Sequence, residues 1–141
     1  MSELVTRFED LTLPSSEFHH ADHVRVAWEY LREEPSPADA LRRFVTNLRR
    51  FAEHHGATNL YHETITWAYL ALIHERMLAD PHADWPAFAR ANADLLTWKP
   101  SILERYYTHE TLYSDVARRA FVLPDRILGL KQKAAAEAAA R

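Results

Sequence analysis

Cysteine is absent from this chain of 141 residues, and glycine and methionine occur only twice each. Without cysteine there is no disulfide, no thiolate metal site and no thiol nucleophile, a composition that suits a reducing compartment. With Gly56 and Gly129 as the only glycines, the chain lacks the fixed glycine positions that a phosphate loop, a dinucleotide-binding turn or a nucleophile elbow requires. No apolar run approaches the length that spans a bilayer. The opening Met1-Ser2-Glu3-Leu4-Val5-Thr6 carries no basic stretch leading into an apolar segment, so a cytoplasmic location is the expectation. An excess of positive charge is missing too. Lys and Arg number 17 against 20 Asp and Glu, a net charge of -3, and the two signs are interleaved. Such a surface gives neither a nucleic acid nor a membrane a field to follow, which leaves a small molecule as the expected partner and a homo-oligomer as an open question.

Helix-forming residues are what the chain has in quantity. Ala, Leu, Arg and Glu dominate, and runs of alternating β-branched residues are lacking, so the fold class is all-α. The predicted architecture is one compact bundle of about six helices over residues 1–124, followed by an Ala-rich helix or tail over 125–141. After a polar lead-in ending at Pro14-Ser15-Ser16, residues 21–33 place Val24, Ala27, Trp28 and Leu31 on one stripe, with Arg25, Glu29 and Arg32 facing away. Ser36-Pro37-Ala38-Asp39 starts a second helix with an N-cap, a proline at its first position and an acid in its first turn, and Gly56 stops it. Leu41, Phe44, Val45, Leu48 and Phe51 repeat at three and four along it, and Arg42, Arg43, Arg49 and Arg50 are predicted to face outward.

Thr58 or Asn59 is expected to cap a third helix, over about 60–79, whose middle from Ile65 to Ile73 has almost no polar side. That helix is predicted to be the buried spine. Shorter helices are expected to start at Asp84-Trp85-Pro86, at Lys99-Pro100-Ser101 and at Thr108, the last closing before Phe121-Val122-Leu123-Pro124.

Nine histidines are the compositional oddity, because histidine titrates near neutrality and is the commonest metal ligand. Glu63 and His74 lie eleven positions apart with Trp67 and Leu70 between them, so the four share one face of the third helix. An acid and an imidazole on an apolar face need partners. His20 and His23, three apart at the start of the first helix, are positioned to lean into the same interior. The expected site therefore takes one of two forms. In the first, His20, His23, His62 and Glu63 ligate a divalent ion, with nitrogen and oxygen donors favouring Zn, Fe, Mn or Cu. In the second, His23 or His74 pairs with Glu63 as general base and orienting carboxylate, with Tyr106, Tyr107 or Tyr61 as a proton donor to a developing oxyanion.

Glu17 and His20 add one copy of the Glu-x-x-His spacing found in carboxylate-bridged di-iron bundles, which use two. Against both forms stands a structural polar network that fixes helix register without touching any ligand. That alternative makes the chain a non-catalytic binding or assembly module. His54, His82 and His19 are expected in solvent, and His55 is expected to serve as a C-terminal helix cap.

The combination Phe18-x-His20-x-x-His23, Val24-Arg25-x-Ala27-Trp28, Tyr61-His62-Glu63-Thr64-Ile65-Thr66 and Phe121-Val122-x-Pro124-Asp125 resembles an uncharacterised family of small all-helical bacterial proteins. The resemblance covers most of residues 18–125. It implies that His20, His23, His62 and Glu63 matter together, and it brings no activity with it.

Overall fold

A computed structural model describes residues 1–126. The Ala-rich part of the predicted tail lies outside the described residues. Eight α-helices make up the bundle and, among the described residues, no strand occurs: α1 Glu3–Glu9, α2 His20–Glu33, α3 Pro37–His54, α4 Glu63–Ala79, α5 Trp85–Ala91, α6 Ala93–Leu96, α7 His109–Leu112 and α8 Asp115–Arg119. Single 3₁₀ turns occupy Ser15–Glu17, Thr58–Leu60 and Ile102–Arg105. Among the described residues, no helix is long and apolar enough to cross a membrane.

The caps follow local chemistry. Ser36 accepts from the Asp39 amide with Pro37 in the first turn, Asp84 from Ala87, Ser101 from Leu103 and Thr108 from Thr111. Gly56 sits at φ +67 just past α3, where only glycine is unstrained. Two starts depart from expectation. α4 begins at Glu63 rather than near 60, because the His62 ring, not Thr58 or Asn59, receives the first free amide. The predicted sixth helix breaks in two at Ser114, whose hydroxyl caps α8.

The polar lead-in also folds. Ser2 caps α1 by accepting from Val5, and Val5 and Phe8 are fully buried. This helix lies along α2 and α3 and reverses the predicted facing of two groups. Glu29 is 9% exposed rather than solvated, because the Ser2 amide and hydroxyl both donate to its carboxylate, at 3.0 and 2.6 Å, with Arg25 at 3.3 Å. Arg43 is likewise not an outward charge. It bonds Glu9, Glu33 and Glu34 at 2.7, 2.8 and 3.3 Å and lies 4.0 Å over the Tyr30 ring, tying α1, α2 and α3 together. A long arginine stem crosses from a helix flank to a partner that its own face does not reveal.

α2 and α4 share the centre. α2 packs on α1, α3, α4 and α6, while α4 packs on α2, α3, α6 and α8. Ala40, Phe44, Leu48 and Phe51 of α3 form a buried stripe at four, four and three, the spacing the sequence predicts. Each buried phenylalanine contributes about 1.5–3 kcal/mol of hydrophobic stabilisation. α4 is buried through Thr64, Thr66, Tyr69, Leu70 and Ile73, yet Trp67 is 38% exposed, so the spine is open on one flank. Arg76 reaches from α4 to Asp94 of α6 through two parallel bonds of 3.0 and 2.8 Å, and that guanidinium holds the Asp94 carboxyl below the usual range.

The described chain does not detach at residue 124. The Asp125 carboxylate accepts from the Thr108 amide and from the Thr108 and Thr111 hydroxyls at 2.7–2.8 Å, and those bonds lower its pKa to about 2. Arg126 donates its amide to Tyr106 O at 2.8 Å.

Candidate functional site

Two cavities flank α4. The first, about 570 Å³, lies between α2, α3 and α4 and is closed at one side by Trp98 and by Tyr113 and Arg118. From α4 it receives His62, Ile65, Thr66, Tyr69 and Ile73, positions three, four, seven and eleven beyond the first. Phe44, Leu48 and Phe51 supply the apolar wall from α3. Four imidazoles line it: His20, His23, His55 and His62.

Three of the four are fixed by backbone carbonyls. His20 Nε2 donates to Leu95 O at 2.9 Å, and its ring meets Tyr69 edge-on at 4.8 Å and Trp98 at 5.0 Å. His55, the C-cap of α3, uses Nε2 toward Leu13 O at 3.2 Å. His62 uses both nitrogens: Nδ1 accepts the Ile65 amide at 3.1 Å, and Nε2 donates to Leu112 O at 2.7 Å. A carbonyl only accepts, so Nε2 carries the proton in all three rings. The fourth is different. His23 stacks on Phe18 with ring centroids 4.0 Å apart and has no side-chain hydrogen bond to any described residue. Burial, reinforced by the nearby His20, pushes its pKa down to about 3, so the ring is neutral throughout the physiological range. Burial also lowers His20, partly offset by its bond to Leu95, and it lowers His62, where the charge of Arg118 acts in the same direction.

Glu63 faces elsewhere. Its carboxylate accepts from Arg49 Nη2 at 2.7 Å, Tyr61 Oη at 2.9 Å and Trp67 Nε1 at 2.7 Å, and no histidine is among its partners. Arg49 also covers the Tyr61 ring, 4.8 Å from its centroid. The predicted pairing of Glu63 with His74 or His23 is therefore not formed. Two indole and phenol donors on its own segment and an arginine from α3 satisfy the acid first.

His74 and Tyr106 meet instead at a second cavity, about 460 Å³, on the opposite side of α4. Trp67 and Leu70 line it with them, so the predicted shared face is real in three of its four members. The other tyrosine donors are spent, Tyr61 on Glu63 and Tyr107 on Val122 O at 2.7 Å.

The predicted ligand set does not fit a metal ion. His62 has no free nitrogen, Glu63 is turned to Arg49, and Glu17 is an exposed residue beside Arg7. Among the described residues no group of three or more His, Asp or Glu side chains is placed to hold an ion.

Of the residues predicted to share one site, His20, His23 and His62 line the first cavity and Glu63 does not; His55, read from the sequence as a cap ahead of a ligand, joins them, and Arg118 was passed over. The signal for His55 was its place at the end of the Phe44-Leu48-Phe51 stripe, one turn beyond Phe51. Comparison with family models, with curated proteins and with solved structures returned no match to this chain.

Proposed function

We propose that the chain takes a small, largely apolar molecule into the first cavity and uses neutral His23 as the hydrogen-bond or proton acceptor for it. The observation that carries this reading is the contrast among the four rings. His62 uses both nitrogens and His20 and His55 each commit Nε2 to a carbonyl, while His23, which lines the cavity, has a partner for neither nitrogen among the described residues. His23 is half-buried, and no side-chain nitrogen or oxygen among the described residues is both sealed from solvent and unpartnered, so its nitrogens stay accessible to a donor that enters the cavity. The cavity volume falls in the range of small-molecule sites, and its mostly apolar lining with a few convergent polar groups is the usual composition of one.

A base that stays neutral at pH 7 is ready to accept a proton, and the committed rings around it favour a fixed geometry over rearrangement. The reading is of acid–base work or ligand capture without a metal. A chain lacking cysteine suits a cytoplasmic setting for it. The structural-network alternative is favoured for Glu63, whose carboxylate already accepts from Arg49, Tyr61 and Trp67.

Imidazole-selective ¹⁵N spectra recorded during titration with uncharged apolar probes such as octan-1-ol test the proposal. The His23 resonances are expected to move while those of His74 stay in place, and His23→Leu is expected to weaken binding tenfold or more. Unmoved His23 signals across the probe set would remove the reading.

A further inference from the structure

The first cavity is electrostatically one-sided. The whole chain carries more acid than base, yet among the described residues no Asp, Glu or Lys lines this cavity, and the guanidinium of Arg118 is the one permanent charge there. The neighbouring residue shows that this placement is not a general property of α8. Arg119 lies across its own helix on Asp115 at 2.7 Å, whereas Arg118 finds no acid among the described residues. α8 is held in that position from two sides. Ser114 caps it, and the Thr64 hydroxyl of α4 donates to Ala120 O at 2.9 Å just beyond its end. The helix next to it is also tied down, because His62 Nε2 grips Leu112 O. Arg118 is therefore a cation on a fixed mount beside an apolar hollow.

We propose, resting on the reading of this cavity as a small-molecule site, that its ligand is an organic carboxylate: the carboxylate pairs with Arg118 and the hydrocarbon body lies between Phe44, Leu48 and Ile65. The planar guanidinium fork matches a carboxylate through two parallel hydrogen bonds. A phosphate ester would bring a second charge to a site with one cation. An amine would meet Arg118 with no acid to balance it. Apolar walls on three helices exclude a strongly hydrated ligand body. Arg118 lies near enough to His62 for its charge to act on that ring, after the larger effect of burial.

The test compares three probes of one chain length, octanoate, octan-1-ol and octylammonium, against wild type and Arg118→Gln by calorimetry, with ¹⁵N spectra of His23 and His62 read in parallel. Arg118 is exposed, so the substitution is expected to leave the fold and melting temperature unchanged. Octanoate is expected to bind wild type at least tenfold more tightly than octan-1-ol, Arg118→Gln to erase that advantage while leaving octan-1-ol unaffected, and octylammonium to bind weakest. Equal affinity for octanoate and octan-1-ol, a preference for octylammonium, or an octanoate advantage that survives in Arg118→Gln overturns the carboxylate assignment, even though the cavity still binds. Failure of all three probes to shift His23 removes the small-molecule reading itself, and the carboxylate assignment with it.

Discussion

The two faces of α4 differ by a single step along the chain and by everything in their chemistry. One face begins at His62 and runs through Ile65, Tyr69 and Ile73 into the first cavity. The other begins at Glu63 and runs through Trp67, Leu70 and His74, the last three of which line the second cavity. Glu63, the strongest charge on either face, is closed: three donors surround its carboxylate and none points onward to a ligand. The first cavity, poorer in charge, is open, because His23 and Arg118 have no polar partner there among the described residues. A buried polar group with all its bonds made contributes stability and register, while one with bonds left over specifies something else. Titratable residues on an apolar helix face are thus poor guides to function until their partners are known.

Breaking the closed face has the largest expected effect. Glu63→Leu strips the partner from Tyr61 Oη, Trp67 Nε1 and Arg49, and chemical denaturation is expected to show a loss of about 2–3 kcal/mol, reduced because Arg49 and Trp67 can reach water. Glu63→Gln, which keeps the shape and some bonds, should lose roughly half as much. In the protein that remains folded, octan-1-ol affinity at the first cavity should change less than twofold. A tenfold loss there would show that the two faces are coupled and that closure of the Glu63 cluster is not purely structural.

The open face is sharpened by pH. The unfolded chain protonates histidine near pH 6.5, whereas folded His23 resists until about pH 3, so between those values the unfolded state binds more protons and stability falls as pH falls. The slope from this one ring is at most about 1.4 kcal/mol per pH unit, and it vanishes above pH 6.5. His20 and His62, also lowered, add slope of the same sign. His23→Phe keeps the stack on Phe18 and removes the proton site. Denaturant midpoints should therefore fall less steeply from pH 7 to pH 4.5 in the variant than in wild type. Parallel curves for the two proteins would mean that His23 is not a buried neutral base.

A smaller effect is expected at the residue where the faces part. His62→Ala removes the acceptor for the Ile65 amide and the donor to Leu112 O, at an expected cost of about 1–2 kcal/mol, and His62→Asn, a good N-cap, should restore roughly 1 kcal/mol of it. Thermal melts of the three proteins separate the two bonds.

Much of this was legible in the sequence wherever the signal was local. Ser36-Pro37, Asp84, Ser101, Thr108 and Gly56 mark element boundaries within a few residues, and each is a boundary in the structure, although Ser101 opens a single 3₁₀ turn rather than the predicted fifth helix. The spacing of His20 and His23 at the start of α2 turns both toward the first cavity, which both line. What could not be read locally was the partner of a long side chain. Arg49 and Arg43 sit on the flank of an amphipathic helix and look solvated, yet each spans to an acid on another element, at 2.7 Å in both cases. The acid Glu63 and the bases were placed, but not which would find the other. α1 was passed over although Ser2, Val5 and Phe8 have capping and core spacing, because seven residues bury too little to be recognised apart from what they pack on.

The smallest effect is expected at His74, one of the two bases the sequence offered to Glu63. His74 combines with Trp67, Leu70 and Tyr106 at the second cavity, but it has no acid partner there, and Glu63 is committed at the other end of the helix. His74→Leu should therefore change stability by no more than about 0.5 kcal/mol, since a half-buried ring exchanges for apolar surface in an apolar groove. It should also leave octan-1-ol and octanoate affinity at the first cavity unaltered. A His74 variant that weakens either ligand tenfold, with stability intact, would move the chemistry back to the face of α4 that carries Glu63, and with it the role assigned here to His23.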